Sequence, residues 1–286
     1  MDEERVDEER VVEGFAARVA GAVAATGPVC AGIDPSAGLL ADWGLPDSGE
    51  GLRSFGLRCV EAFAGAVPVV KPQVAFFERW GSAGVAALED VIAGARSAGL
   101  VVIADAKRGD IGSTSAAYAS AWLDPDGPMA ADAVTAVAYL GLGALQPLVD
   151  TARAHGRGVI VVVRSSNPEG RMLQQAVRVD GATVEDGLLA EVAALNAETP
   201  GVMGAVVGAT LRPSSFDLTG LGGVVLAPGV GAQGATAADV AALFAGCPAG
   251  SVLPSVSRSV LGAGPGVAAL RAAAVAARDE MADALG

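Results

Sequence analysis

The chain has 286 residues, 52% hydrophobic, 18% charged and only 4% aromatic, so its core is built from Ala, Val and Leu. Nineteen Lys and Arg against 32 Asp and Glu leave a formal charge of −13, which argues against non-specific nucleic-acid binding, since that needs a basic face. Cys30, Cys59 and Cys247 are odd in number and far apart, and there is one histidine. A disulfide framework, a zinc site and a Ser-His-Asp triad are therefore not indicated, and a reducing, cytoplasmic compartment is expected.

The first ten residues, Met1 to Arg10, are nearly all charged and lack the apolar stretch of a signal peptide. They are expected to be disordered or solvated. No run of 18 uncharged apolar residues reads as a membrane span. An amphipathic helix is predicted over Val11 to Ala25, ahead of the first strand and placed to cap the base of a barrel. Strands are predicted at Val29–Ile33, Val67–Lys71, Leu100–Asp105, Ala131–Val137, Gly158–Arg164, Val202–Val207, Gly223–Ala227 and Ser251–Ser255. They are continuous apolar runs, as expected of strands buried on both faces. Between most of them lie Ala- and Leu-rich segments with helical spacing, such as Gly51–Ala66, Gly84–Ala98, Leu142–Ala154 and Ala237–Ala245. Strand then helix, eight times over, predicts a single-domain α/β protein, a (β/α)8 TIM barrel with an N-terminal capping helix. Strands six and seven start only 21 residues apart, so Leu211–Gly222 is expected to be a turn or an abbreviated helix. An open doubly wound sheet is the other reading, but no GxGxxG follows the first strand, which ends in Gly32-Ile33-Asp34-Pro35.

In such a barrel the chemistry sits at the C-terminal ends of the strands. The run Asp105-Ala106-Lys107-Arg108-Gly109-Asp110 places three charged groups directly after a buried strand. Asp105 and Lys107 are two apart and share a face on a strand. Charges that close beside a dry core shift one another's pKa and are costly unless well paired, which points to catalysis rather than to a solvated salt bridge. The other strand ends carry Asp34, Lys71, Thr135, then Arg164-Ser165-Ser166-Asn167, then Pro228-Gly229-Val230-Gly231-Ala232-Gln233-Gly234, then Ser255-Val256-Ser257-Arg258. Each has a plainer reading: Asp34 starts a turn, Lys71 snorkels from the rim, the serines form turns, and the glycines make a flexible connection. Together they favour a phosphate site after strands seven and eight, where glycines turn backbone N–H groups inward and Arg258 adds a fork-shaped cation. His155 falls at the opposite end of the barrel and is read as a surface residue.

The block Asp105-Ala106-Lys107-Arg108-Gly109-Asp110-Ile111-Gly112-Ser113-Thr114 resembles the DxKxxDI signature of the orotidine 5'-phosphate decarboxylases, in the longer type 2 branch. DxKxxD alone is shared with sister barrel enzymes. Lys71-Pro72-Gln73-Val74-Ala75-Phe76-Phe77-Glu78 and Pro228-Gly229-Val230-Gly231-Ala232-Gln233-Gly234 narrow the resemblance, with Ser165-Ser166-Asn167-Pro168 and Ser257-Arg258-Ser259 in support. One departure is visible: the branch typically reads Val-Asn-Pro-Tyr-Leu-Gly after strand four, and this chain has Val137-Ala138-Tyr139-Leu140-Gly141.

The resemblance implies conversion of orotidine 5'-monophosphate to UMP and CO2, with no cofactor and no metal. It implies that Lys107 gives a proton to C6, that Asp105 lies beside the departing carboxylate, and that Lys71 holds the row. Asp110 and Thr114 would reach into the site of a second copy, in a homodimer with shared active sites. Asp34 would meet the ribose, Ser166 the pyrimidine edge, and Gln233 with Arg258 the phosphate. The segment Pro168 to Asp186 would form part of a lid. Three other chemistries remain open on the residues alone. They are a Schiff-base aldolase through Lys107 or Lys71, a Mg²⁺-dependent sugar-phosphate enzyme of the same superfamily, and a non-catalytic phosphate-binding barrel.

Overall fold

The computed structural model describes residues 13–212 and 217–286. Met1–Arg10 and the first residues of the predicted capping helix lie outside the described residues. Eight parallel strands close into a barrel in chain order: β1 (Cys30–Ile33), β2 (Val69–Pro72), β3 (Val101–Arg108), β4 (Ala133–Ala136), β5 (Gly158–Arg164), β6 (Met203–Val207), β7 (Val225–Pro228) and β8 (Val252–Val256). Closure comes from β1 pairing β8, with Cys30 opposite Ser255.

The helices are α1 (Phe15–Thr26), α2 (Ala37–Asp42), α3 (Gly49–Phe63), α4 (Val74–Glu78), α5 (Gly81–Ser97), α6 (Gly112–Leu123), α7 (Gln146–His155), α8 (Arg171–Gln174), α9 (Val184–Glu198), α10 (Ala237–Leu243), α11 (Arg258–Leu261) and α12 (Val267–Leu285). Several begin where the sequence supplies a cap. Ser48 Oγ accepts from the Gly51 N–H, and Thr236 and Asp239 cap each other's backbone N–H groups ahead of α10. Among the described residues of Leu211–Gly222 there is no helix, in line with the short interval between β6 and β7; residues 213–216 lie outside the described set.

The strands are buried on both faces, so their side chains divide between two cores. The inward set includes Val69, Val101, Ile103, Ala133, Ile160, Leu226 and Leu253, and it packs at the base against Phe15, Val19 and Val23 of α1. The predicted capping helix therefore plugs the barrel. Its fit depends on Gly158, where an added Cβ would stand 2.3 Å from a Phe15 ring carbon. The outward set packs beneath the ring of helices. Asp132 locks the base: its Oδ1 accepts from Arg18 Nη1 of α1 and from Arg157 Nη1, each at 2.7 Å. His155 is exposed at the end of α7, on that same basal side.

β3 is longer than its apolar run predicts, reaching Arg108 instead of ending at Asp105. The extra length is irregular. Ile103 and Ala104 pair with Ala133 and Val134, and the next pair is Arg108 with Ala136. This bulge carries the site.

Candidate active site

At the mouth of the barrel the Asp105 carboxylate accepts four hydrogen bonds. Oδ2 accepts from Lys71 Nζ and from Gln73 Nε2, each at 2.9 Å. Oδ1 accepts from Lys107 Nζ at 2.7 Å and from the Thr135 hydroxyl at 2.9 Å. Three strands and the turn after β2 supply these donors. Burial by itself would raise the Asp105 pKa, but the Lys71 and Lys107 ammoniums outweigh it and hold the carboxyl well below the usual range. Lys71 is buried too, which disfavours its charge. Asp105, then Asp34 and Cys30, reverse that and raise its pKa above the ordinary lysine value. Both groups are ionised at neutral pH. Burial pushes the Cys30 thiol up to about 12 against the pull of Lys71, so it stays protonated there. Lys71 and Lys107 are the only two lysines in the whole chain.

Lys107 joins the cluster by a route that strand alternation does not anticipate. Its φ is +50°, the one positive value outside glycine among the described residues. A left-handed backbone costs such a residue about 1–2 kcal/mol. The common face expected for Asp105 and Lys107 is realised, but through a bulge rather than a regular pleat.

The cluster opens into a cavity of about 280 Å³. Asp34 lines it from the end of β1: its Oδ2 accepts from the Ser257 hydroxyl, and its Oδ1 is buried with no hydrogen-bond partner among the described residues. Across the cavity, Ser166 donates to Gln233 Oε1 at 3.0 Å. Gln233 sits in the loop after β7, where Gly229, Gly231 and Gly234 all have positive φ. Arg258, first residue of α11, completes that wall. One cavity thus brings together Lys71, Asp105, Lys107, Asp34, Ser166, Gln233 and Arg258.

Asp110 and Thr114 stand apart from it. Asp110 Oδ1 accepts from the Ile111 N–H at 2.8 Å, Thr114 is exposed on α6, and neither lines the cavity. They are flanked by exposed apolar side chains, Ile111 at 61%, and Tyr139 and Leu140 at 77% and 53% in the loop after β4. That loop runs beside the DxKxxD loop: the Val137 N–H donates to the Arg108 carbonyl, and a Cβ on Gly109 would lie 2.3 Å from the Val137 carbonyl oxygen.

The sequence places Thr135 and Ser257 at the strand ends without assigning them a role, and Gln73 only within a family-like block; in the structure Gln73 and Thr135 bond Asp105 and Ser257 bonds Asp34. Gln73 follows Lys71 by two residues in extended backbone, and that spacing was the available signal. Among the described residues, no group of three His, Cys, Asp or Glu side chains is placed to hold a metal ion.

The sequence profile of the "Orotidine 5'-phosphate decarboxylase / HUMPS family" matches residues 28–273. This chain belongs to that family. Curated relatives named orotidine 5'-phosphate decarboxylase agree along nearly the full length. The one from Salinispora arenicola is 54% identical over 265 residues, covering 92% of this chain and 95% of the relative. The one from Streptomyces coelicolor is 54% identical over 266 residues, with the same coverage. A solved Streptomyces avermitilis chain, provisionally given the same name, superposes with a TM-score of 0.92 at 53% identity over 96% of both chains. The Leishmania donovani OMP decarboxylase superposes at 0.77 with 26% identity, covering 95% of this chain and 98% of that one. No helix among the described residues is long and apolar enough to cross a membrane.

Proposed function

We propose that the Lys71–Asp105–Lys107 row performs the decarboxylation of orotidine 5'-monophosphate to UMP and CO2, a step of pyrimidine nucleotide synthesis. The reaction class follows from the family and from relatives that share half their residues with this chain. The observation that carries the assignment of roles is the Asp105 carboxylate held between the ammonium groups of the chain's only two lysines at the edge of one cavity.

The chemical problem is a carbanion at C6. When the C6–carboxylate bond breaks, its electron pair stays on C6 and CO2 departs. The Lys107 ammonium is the nearest positive charge and gives its proton to C6; the resulting amine takes a proton back from water. Preorganised charge of this kind needs no rearrangement at the moment of reaction. Asp105 keeps the buried Lys71 charged, bonds the Lys107 ammonium and stands beside the departing carboxylate. Its free rotation is removed by four donors, so the row is rigid before substrate arrives. Asp34, which lines the cavity from the end of β1, accepts from a ribose hydroxyl. Ser166 meets the pyrimidine edge, and Gln233 with Arg258 takes the phosphate, whose binding energy is available for closing loops over the site.

Asp110 and Thr114 complete the site from a second copy of the chain. The apolar side chains of Ile111, Tyr139 and Leu140 beside them support that interface. Mixing Lys107→Ala with Asp110→Ala tests it. In a mixed dimer one site carries both substitutions and the other carries neither, so two weak preparations regain activity on mixing. No gain on mixing removes the shared site. The three unpaired cysteines support a reducing, cytoplasmic setting. The chain is read as one decarboxylase unit over 1–286.

The decisive experiment mixes purified protein with orotidine 5'-monophosphate in EDTA and follows ultraviolet absorbance. Conversion to UMP that survives the chelator supports the cofactor-free reaction. Activity abolished by the chelator would support the Mg²⁺-dependent alternative instead.

A further inference from the structure

The bulge in β3 leaves the Lys107 amide without a regular ladder partner. β3 advances four residues, Ala104 to Arg108, where β4 advances two, Val134 to Ala136. Inside that gap the Lys107 N–H donates to Thr135 Oγ1 at 2.9 Å. The same hydroxyl donates to Asp105 Oδ1, which also accepts from Lys107 Nζ at 2.7 Å. Both directions are fixed by chemistry: an amide N–H only donates and a carboxylate only accepts, so the hydroxyl must accept from one and give its proton to the other. The result is a closed ring that ties the backbone of Lys107 to its own ammonium through one threonine. Thr135 is fully buried, so water does not replace its hydroxyl.

We propose that Thr135 is a positioning residue for the decarboxylation: its hydroxyl holds Lys107 in the left-handed backbone conformation and so aims the ammonium at C6. The proposal rests on the reading of Lys107 as proton donor. Thr135 itself does not line the cavity; it acts on the substrate only through Lys107 and Asp105. Displacement of a reacting group by about 1 Å costs about 10²-fold in rate, and that is the loss expected when the ring is opened.

The test uses Thr135→Val, which keeps the shape and removes the hydroxyl, and Thr135→Ser, which keeps the hydroxyl. With ¹⁵N-lysine the protein gives two backbone amide signals, one for each lysine, and Lys107→Arg identifies which belongs to Lys107. Thr135→Val is expected to move the Lys107 signal, to lower kcat about 10²-fold and to leave UMP affinity within about threefold of the starting protein. Thr135→Ser is expected to retain the signal and to restore kcat to within tenfold. Wild-type kcat in Thr135→Val, with Lys107→Ala inactive, overturns the role of Thr135 alone. A fully active Lys107→Ala overturns the underlying reading instead. If kcat and UMP affinity fall together in both Thr135 variants, the residue is only structural and the proposal fails. Should Thr135→Val not fold, Thr135→Cys, with its weak donor and acceptor, replaces it. Equal kcat for Thr135→Cys and Thr135→Ser would then overturn the proposal.

Discussion

Two buried carboxylates, Asp132 and Asp105, lie at opposite ends of the barrel, and they are built to opposite purposes. Asp132 at the base accepts from the guanidiniums of Arg18 and Arg157 and from the Val102 N–H. Asp105 at the mouth accepts from two ammoniums, an amide and a hydroxyl. Both are nearly inaccessible. An arginine in a protein does not give up its proton, whereas a lysine can. The base is sealed beneath α1, while the mouth opens on a cavity. A buried cluster of opposite charges is therefore not in itself the mark of a site. What marks the mouth is a transferable proton, space beside it, and a strained residue that carries it.

Substitutions at the two ends should separate cleanly. The largest effect belongs to Lys107→Ala. On the proposed roles it removes the proton donor and the charge nearest the carbanion, and decarboxylation should fall by at least about 10⁵-fold, about 7 kcal/mol of barrier. The melting temperature should barely change, because the Lys107 side chain is half exposed. Asp132→Ala should do the reverse. It strands Arg157 without its carboxylate, a loss of about 3–5 kcal/mol of folding stability for a broken buried pair, while kcat stays near its starting value. Urea unfolding beside a steady-state assay reads both. If Asp132→Ala lost activity at unchanged stability, the two ends would not divide the work as described.

How much of this could be read from the chain differs by level. The eight strands were legible because strands buried on both faces are unbroken apolar runs, and each observed strand starts within two residues of its expected place. The mouth was legible because charged residues directly after such runs, as at Lys71 and Asp105, have no packing reason to be there. The left-handed turn at Lys107 was not. Alternation gave the right neighbours for the wrong reason, since nothing in Asp105-Ala106-Lys107 announces a bulge. Thr135 was legible as a strand-end residue, but its bond to Asp105, like that of Gln73, was not: neutral donors look like ordinary polar residues until a register places them opposite a carboxylate. Asp132 was hidden inside an expected strand, where its partners Arg18 and Arg157 come from distant segments. The segment Pro168 to Asp186 is likewise anchored by contacts that spacing does not show: Gln174 bonds to the Ser165 N–H and hydroxyl, and Arg164 pairs with Glu185 at 2.7 Å.

A smaller effect tests whether the far wall of the mouth binds rather than reacts. Arg258→Ala removes a charged donor from the wall proposed to take the phosphate, and UMP should bind about 10- to 100-fold more weakly, about 1.5–3 kcal/mol. Titration calorimetry measures this directly. The Asp105 cluster lies across the cavity, so the pH dependence of turnover at saturating substrate should be unchanged. A loss confined to kcat at unchanged UMP affinity would move Arg258 from the phosphate to the chemistry.

The smallest expected effect is a pH signature of the mouth cluster in stability. The Asp105 carboxyl is held low by its two ammoniums, so its contribution is complete above the unfolded value of about 3.9 and is lost as pH falls through the lower folded value. The Lys71 ammonium is held high, so its contribution is complete below the unfolded value of about 10.4 and is lost as pH rises through the folded value. Between about pH 5 and 9 neither changes its charge in either state, and linkage then requires a flat difference. Comparing urea unfolding of the natural chain with a Lys71→Met, Asp105→Leu variant isolates that difference. Its sign at neutral pH depends on desolvation, and apolar replacements of buried pairs are often the more stable. Its shape does not: the natural chain should lose ground to the variant only at the two pH extremes. A slope of more than about 1 kcal/mol per pH unit inside the window, close to the 1.36 kcal/mol of one full proton, would mean that one of these groups is not ionised at neutral pH. The row would then lack the fixed charges on which its chemistry depends.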